Sequence, residues 1–365
     1  MLPLSADPIE SLTPERLSSW LSASIGEVSI ASMTTKAVGT GQMASSYRLD
    51  LTYADHRPAD APDSVILKVS SQDESSRQMA AAASAYLREV RFYQNLAAVA
   101  GARVPRCYHA DISSSAMDFV LVMEDMGPAR SIDQLGGCSV DQAALAVAQA
   151  ATLHGSTWGH PTVEAQDWLP VEAVWTALGG SVPAVLDMWL ERFGPLLTAD
   201  QAEVVQQLGP AVPAWLATLR EHRCLWHGDF RLDNMLFDAQ DGAVPVAVVD
   251  WQSVAAAPGI IDLAYFLGTS LDGDERASAE RDLVSEYHQR LSTHNIGDYS
   301  LQRCETEYRA HAVFGLILTV PVSLGVQRTE RGDAMFATMA RRVADQIAAN
   351  ESYSALAMLG AIRIT

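Results

Sequence analysis

The fold is decided by the stretch Cys224-Leu-Trp-His-Gly-Asp-Phe-Arg-Leu-Asp-Asn-Met-Leu-Phe-Asp238 and by its downstream partner Val246-Ala-Val-Val-Asp-Trp-Gln252. Asp229 and Asn234 stand five positions apart, in a His-Gly-Asp-x-x-x-x-Asn arrangement between two short apolar runs. Sixteen residues after Asn234, Asp250 closes a β-branched run of Val244, Val246, Val248 and Val249. Three oxygen-bearing side chains thus fall at the ends of two expected strands. A hard divalent cation with polyphosphate is held by such a set, in which carboxylate and amide oxygens are completed by phosphate oxygens. Taken alone, an Asp-x-x-x-x-Asn spacing is more often a turn, because Asp and Asn side chains bond their own backbone. His227 and Gly228 before it, and the strand ending in Asp250 after it, favour the functional reading.

Composition narrows the partners. The 365 residues allow one large domain or two smaller ones, and 48% hydrophobic with 19% charged residues describes an ordinary globular chain. Lys and Arg number 25 against 44 Asp and Glu, a net charge of −19. No basic patch offsets this acidity, so nucleic acid is a poor partner. The same field opposes an anionic nucleotide unless magnesium and local cations accompany it, and draws in a cationic acceptor. Simple solubility is the preferred account of the charge. Cys107, Cys138, Cys224 and Cys304 contain no C-x-x-C pair, so neither a zinc site nor a disulfide framework is expected, as befits a reducing cytoplasm. No secretory signal is evident, and the longest apolar run, residues 312–326, is too short to cross a bilayer and carries Pro321. A buried helix is expected there.

Along the first third, Thr13-Pro14 marks a helix start, and strands are expected near 28–37 and 45–53. Between them lies Gly39-Thr-Gly-Gln-Met-Ala44. A dinucleotide fingerprint would require a helix next, whereas a strand follows, so the segment reads as a glycine turn between strands or as a plain hairpin. Ser64–Ser70 is a third strand with Lys68 inside an apolar run. One Ala-rich helix is expected from about 75 to 100, carrying Glu89, then strands near 104–111 and 117–123 and a break at Gly127-Pro128. Beyond it the pattern is helical: Ser139 to about Trp158, 166–223 with breaks at Gly179-Gly180, Gly194-Pro195 and Gly209-Pro210, then 276–292, 301–319 and 328–349. The aromatics Trp168, Trp175, Trp189, Phe193 and Trp215 read as core before they read as a pocket for a ring-bearing alcohol. A lone helical histidine, His154, also reads as core.

His227-Gly-Asp229, Asn234 and Asp250 resemble the catalytic loop and metal motif of the aminoglycoside phosphotransferase and choline kinase superfamily, small-molecule relatives of the protein kinases. Asp250-Trp-Gln252 and Ile261-Asp-Leu-Ala-Tyr-Phe-Leu267 are most similar to its ecdysteroid-kinase-like (CHK kinase-like) branch. The string from His227 to Asn234 is also similar to kinase-like domains found beside acyl-CoA dehydrogenases. The resemblance implies an α+β, bilobal protein-kinase-like fold. Residues 1–127 would form a small nucleotide-binding lobe, an antiparallel sheet plus one helix, and residues 128–365 a larger, mainly helical lobe for catalysis and the acceptor.

It implies ATP and Mg2+, with a small-molecule alcohol as acceptor. Asp229 would orient the attacking hydroxyl, Asn234 and Asp250 would hold the metal, and Lys68, paired with Glu89, would meet the α- and β-phosphates. The turn at Gly39 and Gly41 would cover the phosphates, while the backbone of Glu124 and Met126 would read the adenine edge. Asp262 would support the catalytic loop. Gly228 replaces the arginine through which protein kinases read a phosphorylated activation loop, no Ala-Pro-Glu follows Asp250, and Ala44 stands at the third glycine position. Protein substrates are thereby disfavoured. A catalytically inactive, kinase-shaped binding protein is the rival, although Lys68, Asp229, Asn234 and Asp250 are all present. Neither the acceptor nor the oligomeric state has a readable motif.

Overall fold

Thr13 accepts a hydrogen bond from the Arg16 N–H, and Pro14 occupies the first helical turn, where its missing N–H costs nothing; together they start α1 (Pro14–Ile25). The structure, a computed structural model, describes residue 9 and residues 11–39, 43–54, 57–169, 172–219 and 223–362. After α1 come β1 (Ile30–Val38), β2 (Ala44–Tyr53) and β3 (Ser64–Ser70), then α2 (Glu74–Ala82), α3 (Ala85–Asn95), β4 (Cys107–Ile112) and β5 (Phe119–Glu124). The five strands form one antiparallel sheet in the order β1-β2-β3-β5-β4.

Alternation along β3 decides what faces where. Val65, Leu67 and Val69 pack with Leu17 and Leu21 of α1 on one face. Ile66 joins the core on the other face, where Tyr86, Val90 and Phe92 of α3 meet Phe119, Leu121 and Met123 of β5. Lys68 shares that second face and so points at α3.

The sequence predicts a single helix over 75–100, and the structure has two. Ser84 adopts the left-handed conformation (φ 56°) between α2 and α3. Uniform helix propensity in an Ala-rich run carries no mark of such a break, which here reorients α3 against the sheet.

The second lobe begins with a capping box at Ser139 and Gln142, which starts α4 (Val140–Thr157). It continues with α5 (Pro161–Glu164), α6 (Glu172–Phe193), α7 (Ala199–Gln206), α8 (Leu208–Thr218), β6 (Arg223–Trp226), β7 (Met235–Ala239), β8 (Val244–Val248) and β9 (Ala255–Pro258). The remaining helices are α9 (Ile260–Ser270), α10 (Gly273–Leu291), α11 (Leu301–His311), α12 (Phe314–Gly325), α13 (Glu330–Ala349) and α14 (Ser352–Ile362). The break expected at Gly179-Gly180 is absent. Val182, Leu186, Trp189 and Phe193 form a helical stripe in the core, and α6 runs through both glycines and Pro183. Gly209-Pro210 lies within the first turn of α8, and the expected break falls two residues earlier, at Gln207 between α7 and α8.

Where one helix is expected over 301–319, α11 and α12 are separate. Among the described residues, Leu301–Gly325 is the one stretch long and apolar enough to cross a membrane by length and composition, and its most apolar window is 67% buried in the fold. Trp175, Trp189, Trp215 and Phe193 are core, as expected of them. The four cysteines are free thiols.

Candidate active site

Two short antiparallel ribbons, β6 with β9 and β7 with β8, hold the organising stretch between them. The loop between β6 and β7 is fixed from below. Asp262, on the first turn of α9 and wholly buried, accepts the His227 N–H at 2.7 Å on one carboxylate oxygen and the Gly228 N–H at 3.1 Å on the other. His154 of α4, equally buried, stands with Nε2 3.2 Å from Asp262 Oδ2 and Nδ1 2.9 Å from the Tyr287 hydroxyl. It is a core residue, as its sequence context suggests, and it also braces the carboxylate that carries the loop. The His227 ring places Nε2 3.0 Å from the Val249 carbonyl and so ties the loop to the approach to Asp250. Gly228 is required twice over: its φ is +82°, and a Cβ would lie 2.6 Å from the Ser253 carbonyl oxygen.

Asp229 is surrounded by donors. Asn234 Nδ2 donates to its carbonyl at 2.8 Å and to Oδ2 at 2.9 Å, Tyr265 Oη donates to Oδ1 at 3.2 Å, and Arg231 Nε reaches Oδ1 at 3.1 Å. Arg231 Nη1 also meets Asp233. Burial disfavours the Arg231 charge, but Asp229, Tyr265 and Asp233 more than restore it, and the guanidinium pKa is raised above its ordinary value. Because Asn234 turns its NH2 toward Asp229, its amide oxygen is the atom left to face a cation.

From the first lobe, Lys68 Nζ reaches Glu89 Oε1 at 2.7 Å and Asp250 Oδ1 at 3.0 Å. Burial works against the lysine charge, yet Asp250 and Glu89 together raise its pKa. Burial likewise pushes the Glu89 carboxyl up, with Lys68 opposing. Asp250 is held below the usual carboxylate range: burial pushes it up, and Lys68, with smaller help from His227 and Arg231, outweighs that. Asp250 adopts a left-handed conformation (φ 67°), rare for a non-glycine residue. The next residue, Trp251, stacks on Phe92 of α3 with centroids 3.8 Å apart and planes 5° from parallel. The helix bearing Glu89 and the strand end bearing Asp250 are thus locked by aromatic contact as well as by charge.

The remaining expected residues lie where the lobes join and at the sheet edge. Gly39 follows β1, exposed and at φ +77°, and a Cβ there would meet no atom within 4 Å; Gly41 lies outside the described residues. The Glu124 carboxylate accepts Arg103 Nη2 at 2.7 Å, the Arg106 N–H at 2.9 Å and Gln240 Nε2 at 2.7 Å. Met126 is buried, and its carbonyl accepts the Gln240 N–H at 3.1 Å. The Gly127-Pro128 peptide bond that follows is cis. Gln240 and Tyr265 escape sequence reasoning. Nothing in the sequence marks Gln240, while Tyr265 stands one helical turn after Asp262, the signal that would have placed it beside the loop.

A metal's fit can be judged from the donor set. Among the described residues no three His, Cys, Asp or Glu side chains gather to hold an ion by themselves. Asn234 and Asp250 offer one amide oxygen and one carboxylate, hard donors that suit Mg2+ provided phosphate oxygens and water supply the other positions. The residues fit a cation that arrives with polyphosphate.

A sheet lobe joined to a helical lobe, with Lys68–Glu89 on one side of the junction and the His227–Asn234 loop on the other, is the protein-kinase-like fold as small-molecule phosphotransferases use it. The profile of the ecdysteroid kinase-like family matches residues 39–159 and 193–296, more than half of the chain, and the chain belongs to that family. The resemblance carried by Asp250-Trp-Gln252 and by residues 261–267 is borne out. Among solved structures, a microcompartment-associated aminopropanol kinase superposes with a TM-score of 0.53 at 16% identity, covering 88% of this chain and 92% of that one. An aminoglycoside 2'-phosphotransferase-IIIa variant, solved as a GDP complex, gives 0.51 at 13% identity, covering 94% and 98%. At such identities the likeness is one of fold. No curated protein sequence matches the chain.

Proposed function

We propose that the chain transfers the γ-phosphoryl group of ATP to a hydroxyl of a small molecule. The observation that carries this reading is the position of Lys68 Nζ, within hydrogen-bonding distance of Glu89 and of Asp250, which lies 182 residues further on. A buried ammonium between two carboxylates at a lobe junction suits a polyphosphate that arrives with its own cation. The fold of the GDP-bound neighbour supports a nucleotide in the cleft, and the aminopropanol kinase supports a small alcohol as acceptor.

In this account residues 1–127 form the nucleotide lobe and 128–365 the acceptor lobe. Lys68, held by Glu89, would meet the α- and β-phosphates, the glycine segment that begins at Gly39 would cover them, and the backbone of Glu124 and Met126 would face the base. Asn234 Oδ1 and Asp250 would hold Mg2+, which when bound neutralises phosphate charge. Asp229 orients the acceptor hydroxyl and takes its proton late, because little nucleophile activation is needed in a loose transition state.

The test is ADP release from ATP and Mg2+ over a panel of amino alcohols, sugars, aminoglycosides and sterols. At least one alcohol should raise the rate above that with water, and Asp229→Asn should lower it by about a hundredfold or more. A folded protein that releases no ADP with any acceptor would reduce the chain to a kinase-shaped binding protein.

A further inference from the structure

Four donor contacts crowd the Asp229 carboxylate, and they differ in how firmly each donor is held. A carboxylate offers about four lone-pair sites. Oδ1 faces Tyr265 Oη at 3.2 Å and Arg231 Nε at 3.1 Å, while Oδ2 faces Asn234 Nδ2 at 2.9 Å and the same Arg231 Nε at 3.2 Å. An acceptor hydroxyl that donates to Asp229 must therefore take a place now filled. Arg231 is the donor able to yield: its side chain is 20% exposed, one nitrogen spans both oxygens, and Asp233 remains to hold it.

Tyr265 cannot yield. It is 2% exposed on α9, three residues after the Asp262 that anchors the loop, and its ring meets Phe314 edge-on with centroids 5.3 Å apart. Phe314 is in turn wedged among Trp175, Trp215 and Trp226. Burial, with Asp229 next to it, drives the phenol pKa well above its ordinary value, so the hydroxyl keeps its proton as a donor.

We propose that Tyr265 is a positioning residue that holds Asp229 Oδ1 in a fixed orientation, so that the place vacated by Arg231 faces the acceptor hydroxyl. This rests on the phosphotransferase reading above. Asp262 and Tyr265 then work as one unit on a single helix face: the first sets the loop backbone, the second sets the carboxylate at the loop's working end. Tyr265 touches neither phosphate nor acceptor and acts only through Asp229.

Tyr265→Phe keeps the ring and its aromatic contacts and removes the hydroxyl. Its ADP release from ATP and Mg2+, with water as acceptor, should fall about tenfold in kcat, the size of one hydrogen bond to a charged group, with KM for ATP and the melting temperature nearly unchanged. In an Asp229→Asn background the same substitution should lower the rate no further, because residues acting through one another are not additive. Three results would overturn the proposal. Turnover of Tyr265→Phe at the wild-type rate sinks this inference and leaves the proposed function standing. Losses that multiply in the double variant would make Tyr265 an independent structural element. An Asp229→Asn variant that matches the wild type brings down the proposed function, and Tyr265 falls with it.

Discussion

Lys68 Nζ and Glu89 Oε1 lie 2.7 Å apart where 12% of the lysine side chain and 2% of the glutamate are exposed. Strand β3 and helix α3 are therefore joined by a charge pair removed from water, and breaking one side leaves the other buried with less compensation. Glu89→Ala should destabilise the fold by about 3 kcal/mol in urea denaturation and raise KM for ATP by about tenfold. An unchanged midpoint and an unchanged KM would show that the pair carries neither stability nor nucleotide binding.

The charges at this junction fix a pH dependence. Asp250 is depressed in the folded state, so its contribution is present above the unfolded value of about 3.9 and is lost as pH falls through the folded one. Lys68 is raised, so its contribution is present below about 10.4 and is lost as pH rises through its folded value. Between those limits Asp250 and Lys68 add no slope, whereas the contribution of Glu89, raised by burial, is lost as pH climbs from about 4.3 through its folded value. Lys68→Met enlarges that loss. Burial raises the Glu89 carboxyl, and without the lysine it rises further, so the variant should lose stability as pH climbs from about 4.3 through the new folded value. Urea midpoints of the variant relative to wild type at pH 5 and pH 8 check the sign; a smaller deficit at pH 8 would contradict it.

Asp262 supports two backbone N–H groups and the His154 ring without exposure to water. Asp262→Ala would orphan all three and should cost roughly 3 to 5 kcal/mol. Asp262→Asn keeps one acceptor oxygen and should fall between. Guanidinium unfolding of the two variants tests the order, and equal losses would mean that shape alone holds the loop.

Gly228→Ala places a Cβ 2.6 Å from the Ser253 carbonyl oxygen in a backbone region that alanine rarely adopts. The expected loss is about 2 kcal/mol or more in stability, with activity falling because the strain lies next to Asp229. A variant that melts with the wild type and keeps its rate would show that the loop relaxes freely.

Much of this site is legible in the sequence because it is built from short, local patterns. The bounds of β3 follow from Ser64 and Ser70 around an apolar run, and alternation alone puts Lys68 on the face opposite Leu67. The place of Asp262 beneath the loop is what the resemblance of Ile261-Asp-Leu-Ala-Tyr-Phe-Leu267 to the kinase-like family implies. What the sequence hides is set by tertiary packing. The Ala-rich stretch gives no hint of the turn at Ser84, and the glycines of α6 look like a break until their neighbours Val182 and Leu186 are seen in the core. His154 reads as core and is core, yet its bond to Asp262 spans 108 positions, beyond any local pattern. Gln240 is hidden for the same reason, reaching Glu124 across 116 positions.

Everything proposed for this cleft turns on a magnesium-dependent nucleotide site at Asp250. Its most direct test is the melting temperature with ATP, with and without Mg2+, for wild type and Asp250→Ala, because a ligand that binds the folded state raises apparent stability by mass action. The expected result is a rise with ATP and Mg2+ together that is much smaller without Mg2+ and absent in the variant. A folded wild type that shows no shift with nucleotide, or a shift that Asp250→Ala retains in full, would contradict the nucleotide site.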